Sequence, residues 1–77
     1  MAYSNEVFGN RLALARKSKG FKTQADFARK AEVDVNSIAR YEAGINSPNL
    51  DTACKIASTL GISLDSLTGL QPLIIDD

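Results

Sequence analysis

The stretch TQADFARKAEVDVNSIARYEAG, residues 23–44, constrains the fold of this chain more than any other. Two amphipathic runs flank Ala31-Glu32-Val33-Asp34, a connector that contains no proline and is too short to form a third element. Phe27, Ala28 and Ala31 give the first run an apolar stripe, and Ile38 and Tyr41 give one to the second. Thr23 followed three residues later by Asp26 reads as a capping box with Asp in place of Glu, and Asp34 reads as an N-cap. The spacing predicts one helix from Gln24 to about Ala31 and another over about residues 34–43, ended by Gly44. Helices this brief are marginal in water, so both must be held by packing on other elements.

Those other elements are legible on either side. From about Asn5 to Lys19, Phe8, Leu12 and Ala15 recur on one face, and Gly20 stops the helix. Asn49 caps a fourth helix whose stripe is Leu50, Ala53, Cys54, Ala57 and Leu60, closed by Gly61. Ser63 caps a short fifth helix presenting Leu64 and Leu67, closed by Gly69. The alternation of half-buried strands is absent, so the expected fold is all-α: a five-helix bundle over residues 1–69, with helices two and three forming a helix-turn-helix. The remainder, LQPLIIDD at 70–77, is more apolar than a free tail, and Pro72 blocks helix continuation. Either it packs on its own domain or it meets another subunit; Leu67, Leu70, Leu73, Ile74 and Ile75 are the candidate contact between two copies.

Seventy-seven residues allow one domain. No apolar run is long enough to span a membrane, and the start lacks the order of a signal peptide, so a cytoplasmic location is expected. The single Cys54 fits a reducing compartment and is expected in the core. With no histidine there is no familiar zinc spacing, and neither a metal, a cofactor nor a small-molecule ligand is indicated. No nucleophile sits beside a base and no glycine-rich phosphate loop follows a strand, which argues against an enzyme.

The net charge of zero conceals an asymmetry. Residues 1–31 carry seven basic side chains against Glu6 and Asp26, whereas residues 32–77 carry only Arg40 and Lys55 against seven acids. Lys17, Lys19 and Lys22 are placed to attract phosphate. Stepping around the third helix from Ile38 leaves Tyr41 and Glu42 within about 60° of it and puts Asn36 and Arg40 about 160° away. That outer face has the chemistry of base readout: Asn can bond adenine bidentately, Arg guanine, and the flanking Val35 and Ala39 can meet a thymine methyl. Gln24, beside Lys22 and Thr23 at the positive end of helix two, has the makings of a phosphate clamp. Ser37, Asn46 and Ser47 complete the expected phosphate contacts.

Gly9, Leu12, Arg16, Gly20, "TQADFA", "NSIARYEAG", Pro48 and "ACKIASTLGISLDSL" together resemble the lambda-repressor-like, Cro or XRE family of helix-turn-helix domains, over residues 8–68, roughly four-fifths of the chain. The resemblance implies that Gln24 touches the DNA backbone, that Val35, Asn36, Ser37 and Arg40 face the bases, and that Arg16 pairs with Glu42. Glu42 points partly inward on the wheel, where it needs such a partner. The chain departs from the pattern at Glu32, where the family has a turn glycine. Either the backbone there avoids positive φ or it bears a cost of about 1 kcal/mol. The loop Gly20-Phe21-Lys22-Thr23 is one residue longer than the commonest form, and Val35 replaces a polar residue.

The expected function is sequence-specific regulation of transcription, as a repressor whose recognition helix enters the major groove of double-stranded DNA. One such helix reads few base pairs, so a homodimer on a pseudo-palindromic operator is expected. The competing reading is a protein-interaction module, such as an antitoxin or regulatory partner, that keeps the fold without binding DNA.

Overall fold

Every helix in the computed structural model, which describes residues 4–68, begins at a side chain that accepts from one or two of its otherwise unpaired N–H groups. The Ser4 hydroxyl accepts from Glu6 and Val7 at the head of α1 (Asn5–Ser18). Thr23 accepts from Asp26 N–H to open α2 (Gln24–Ala31). The carboxylate of Asp34 accepts from Asn36 and Ser37 to open α3 (Val35–Glu42). Asn49 starts α4 (Leu50–Leu60) and Ser63 starts α5 (Leu64–Thr68) by the same means. The box expected at Thr23 is realised by half: the Asp26 carboxylate accepts from Arg29 Nη2 at 2.8 Å.

Helix α1 lies against α3 and α5, α2 against α3 and α4, and α4 against α5. The core is contributed by all five: Phe8, Leu12 and Ala15, then Phe27, Ala28 and Ala31, then Ile38, then Ile56, Ala57 and Leu60, and last Leu67. Phe27 and Ile38 are fully buried, and burying a side chain of that size is worth about 1.5–3 kcal/mol. This is what holds two eight-residue helices that water alone would melt. Tyr41 packs at the edge of this core, its ring set perpendicular to Phe8 at 6.4 Å. At Gly9 the backbones of α1 and α3 meet, since a Cβ there would collide with the Tyr41 carbonyl oxygen and lie 3.0 Å from that of Glu42.

Three expectations are corrected. Cys54 is exposed, not buried, and Leu50 is 68% exposed. The inward stripe of α4 is Ala53, Ile56, Ala57 and Leu60, so Leu50 and Cys54 fall on its flank. Ile56 fits that i, i+3, i+4, i+7 pattern and is fully buried. Leu67 was assigned to a contact between copies, but it has no exposed surface, because α5 turns it onto α1 and α4; it is a core residue of the single chain. Leu70, Leu73, Ile74 and Ile75 lie outside the described residues, as does Gly69.

The turn after α2 resolves the alternative at Glu32. Its φ is 60° and ψ 43°, the left-handed region, and among the described residues no other non-glycine has positive φ. Its N–H donates to the Arg29 carbonyl at 3.4 Å, and Val33 N–H donates to that of Ala28 at 3.0 Å. No helix among the described residues is long and apolar enough to cross a membrane.

Candidate nucleic-acid interface

Helix α3 has one face committed to the protein and one that is not. Ile38 is buried, and Tyr41 and Glu42 are half-buried toward α1 and α2. Asn36 and Arg40 are both exposed, Val35 is 38% exposed, and Ala39 and Ser37 sit between the two faces. This is the division the wheel predicts. Asn36 and Ser37 give their backbone N–H groups to Asp34, which leaves the side chains of this first turn outside the capping contact.

At the inner edge of α3 stands a buried polar cluster. Arg16 Nε donates to Glu42 Oε2 at 2.7 Å, and Nη2 donates to Oε1 at 3.4 Å. The two side chains are only 5% and 8% exposed. Gln24 Nε2 donates to the same Oε1 at 2.9 Å. Arg16 Nη1 donates to the Phe21 carbonyl at 2.7 Å, while Phe21 N–H donates back to the Arg16 carbonyl at 3.0 Å. Among the described residues no buried side-chain nitrogen or oxygen lacks a partner. The cluster therefore meets the condition under which a buried ion pair is tolerated.

That cluster carries the longer α1–α2 loop to the end of α3. Phe21 is gripped through both its backbone groups, and its ring stands nearly perpendicular to Phe27, 5.2 Å away. Lys22 and Thr23, which follow it, are exposed, as are Lys17 and Lys19 at the end of α1. The basic excess of residues 1–31 is thus divided. Arg11 Nη1 donates to the Ser66 carbonyl on α5 at 2.8 Å, Arg16 is buried, and Arg29 pairs with Asp26 at the surface. Lys17 and Lys19 at the α1 end and Lys22 in the loop remain exposed.

After α3, Gly44 takes φ 76° and Ile45 N–H donates to the Arg40 carbonyl at 3.1 Å. The chain folds over the end of α3, and Asn46 and Ser47 emerge exposed beside it. Of the expected contact residues, Lys22, Thr23, Val35, Asn36, Arg40, Asn46 and Ser47 are exposed, and Gln24, Ser37 and Ala39 are half-buried. Two contacts escaped sequence reasoning. Gln24 to Glu42 spans 18 positions and Arg11 to Ser66 spans 55, and neither has a periodic signature.

The comparisons with known proteins agree with this architecture. The chain resembles the cryptic phage CTXphi transcriptional repressor RstR of Vibrio cholerae serotype O1, at 41% identity over 59 residues, covering 77% of this chain and 52% of the relative. It also resembles the SPbeta prophage-derived uncharacterized HTH-type transcriptional regulator YonR of Bacillus subtilis (strain 168), at 38% identity over 63 residues, covering 79% of this chain and 56% of the relative. The chain spans about half the length of these curated relatives. Among solved structures it is similar to the restriction-modification controller protein C.AhdI from Aeromonas hydrophila, with a TM-score of 0.75, 28% identity, and coverage of 82% of this chain and 94% of that one. A family model described as helix-turn-helix matches residues 12–67, from the middle of α1 into α5. The chain belongs to the helix-turn-helix family, in its lambda-repressor-like, XRE branch.

Proposed function

We propose that this chain is a sequence-specific DNA-binding transcriptional regulator, a repressor, that lays α3 in the major groove. The observation that carries the reading is the exposure of Asn36 and Arg40 on a helix whose other side is packed, in a chain whose α1 end and α1–α2 loop carry exposed lysines. Asn36 and Arg40 read base edges, with Val35 and Ala39 against thymine methyls. Lys22, Thr23, Gln24, Ser37, Asn46 and Ser47 take phosphates and set the register of the helix. The transcriptional roles in the names of the two relatives support the same reading.

One eight-residue helix reads few base pairs, so the regulator acts as a homodimer on a pseudo-palindrome with half-sites about one helical turn apart. The segment 70–77 supplies the contact between copies, through Leu70, Leu73, Ile74 and Ile75. The double change Ile74→Asp and Ile75→Asp is expected to lower the association state and DNA affinity together with the monomer still folded. Unchanged sedimentation of that variant removes the tail from the interface.

Selection of bound sites from random duplexes, followed by a gel shift under salt titration, tests the reading. A recovered half-site and a steep fall in affinity with salt are expected, because each neutralised phosphate releases counterions. Binding that ignores salt, or no recovered site, favours the interaction-module alternative.

A further inference from the structure

We propose that Glu42, an acid close to a surface that must meet a polyanion, strengthens DNA binding: it is a positioning residue that aims Gln24 at the phosphate, beyond its part in an ion pair. The inference rests on the DNA-binding reading above and deepens it.

The chemistry of the Glu42 carboxylate limits what its partners can do. Ionised, it only accepts hydrogen bonds, so the Gln24 carboxamide must turn its NH₂ end, never its carbonyl, toward Glu42 Oε1, where it lies at 2.9 Å. The orientation of a glutamine amide, otherwise open to a flip, is fixed here by its partner's chemistry. One N–H is spent on Glu42 and the second remains for an acceptor outside. Gln24 is the first residue of α2, where the backbone N–H groups and the helix dipole already favour an anion.

Arg16 extends the effect. It neutralises Glu42 at 2.7 Å, so the acid presents little net charge to DNA, and it holds the Phe21 carbonyl at 2.7 Å. One buried pair thereby fixes the end of α3, the first side chain of α2, and the loop that carries Lys22 and Thr23. Base-reading and phosphate-contacting elements share one anchor.

Three accounts of Glu42 predict different outcomes. If only charge matters, Glu42→Gln removes repulsion and tightens DNA binding. If only fold stability matters, Glu42→Gln alters unfolding and leaves the affinity of the folded fraction alone. Positioning predicts the reverse of the first: a neutral amide at 42 can accept or donate, Gln24 loses its fixed orientation, and affinity falls.

The test is a thermodynamic cycle on the full chain with a duplex recovered by selection and a scrambled duplex, each variant checked by thermal denaturation. Glu42→Gln is expected to bind both duplexes about tenfold more weakly, the size of one lost hydrogen bond to a charged group. Gln24→Ala is expected to cost about the same in the wild-type chain and little more in the Glu42→Gln background, since the two act as one unit. Because Glu42→Gln can weaken the fold, the pair Arg16→Met with Glu42→Leu supplies a packed apolar replacement that stays folded. It too must bind weakly and be insensitive to Gln24→Ala. Equal or tighter binding by Glu42→Gln, or a Gln24→Ala cost unchanged in both backgrounds, overturns the inference while the DNA-binding reading stands. A wild-type chain that binds no duplex in a salt-dependent manner overturns that reading and the inference with it.

Discussion

The ends of α2 and α4 close with nearly the same backbone and opposite chemistry. Glu32 has φ 60° and ψ 43°, and Gly61 has φ 70° and ψ 29°. The bonding matches as well: Gly61 N–H donates to the Ser58 carbonyl and Ile62 N–H to that of Ala57, both at 3.2 Å, as Glu32 and Val33 donate to Arg29 and Ala28. After α4 the residue and its conformation agree, because glycine occupies this region without a Cβ penalty. After α2 they disagree. The turn is imposed there by what it joins: Ala28 and Ala31 before it and Ile38 after it are buried, with Val33 packed against them. Tertiary contacts override local preference in the α2–α3 half, whereas both point the same way in the α4–α5 half. The buried Arg16–Glu42 pair lies in the first half too, beside the face proposed to meet DNA.

The strongest way to break this contrast is to remove the tertiary contact. Arg16→Met leaves the Glu42 carboxylate buried without its cation and frees the Phe21 loop, and it should destabilise the fold by about 3–5 kcal/mol. Urea unfolding measures it. A loss below about 1 kcal/mol, the size of an exposed pair, would mean that packing alone sets the α2–α3 half.

How much of this was readable beforehand follows the same contrast. Local chemistry announced the caps, the glycine ends and the apolar stripes, and the helices fall close to where Thr23, Asp34, Asn49, Gly44 and Gly61 predict. Asn36 and Arg40 could be placed outside because a helix wheel is itself local. Leu67 was misplaced because its burial depends on the angle at which α5 lies on the bundle, which no periodicity specifies. For Leu50 and Cys54 the stripe was taken about one residue too far around the helix; including Ile56 would have rotated it correctly. Gln24 carried a signal for its position at the helix start and none for its bond to Glu42, which exists only once α2 and α3 cross.

The next test asks whether the two halves differ in function as well as construction. Arg40→Ala removes an exposed side chain from α3 and should leave stability within about 0.5 kcal/mol. It should relax preference at one base pair by about 1–3 kcal/mol. Lys55→Ala, which removes an exposed cation from α4, should change neither. Competition assays over single-base variants of a selected site distinguish these outcomes. A uniform weakening by Arg40→Ala across all variants would make Arg40 a phosphate contact instead of a base reader.

The smallest effects sharpen the contrast at its origin. Glu32→Gly relieves a left-handed residue, worth about 1–2 kcal/mol, but gives the unfolded chain about 0.4–1 kcal/mol of extra entropy. Gly61→Ala does the opposite, and a Cβ there meets nothing within 4 Å, so conformation alone decides its effect. The two substitutions should therefore shift stability by about 0.5–1 kcal/mol each with opposite signs, Glu32→Gly upward and Gly61→Ala downward. Paired chemical denaturation of the two variants resolves this. If Glu32→Gly destabilises, the glutamate side chain contributes something at the turn that its backbone conformation conceals, and the position would be one where strain is kept for the contact it brings. A gain in stability with unchanged DNA affinity would show instead that the α2–α3 angle is set by Phe27, Ile38 and the Arg16–Glu42 pair, since the turn could then be relaxed without moving the helix that reads the groove.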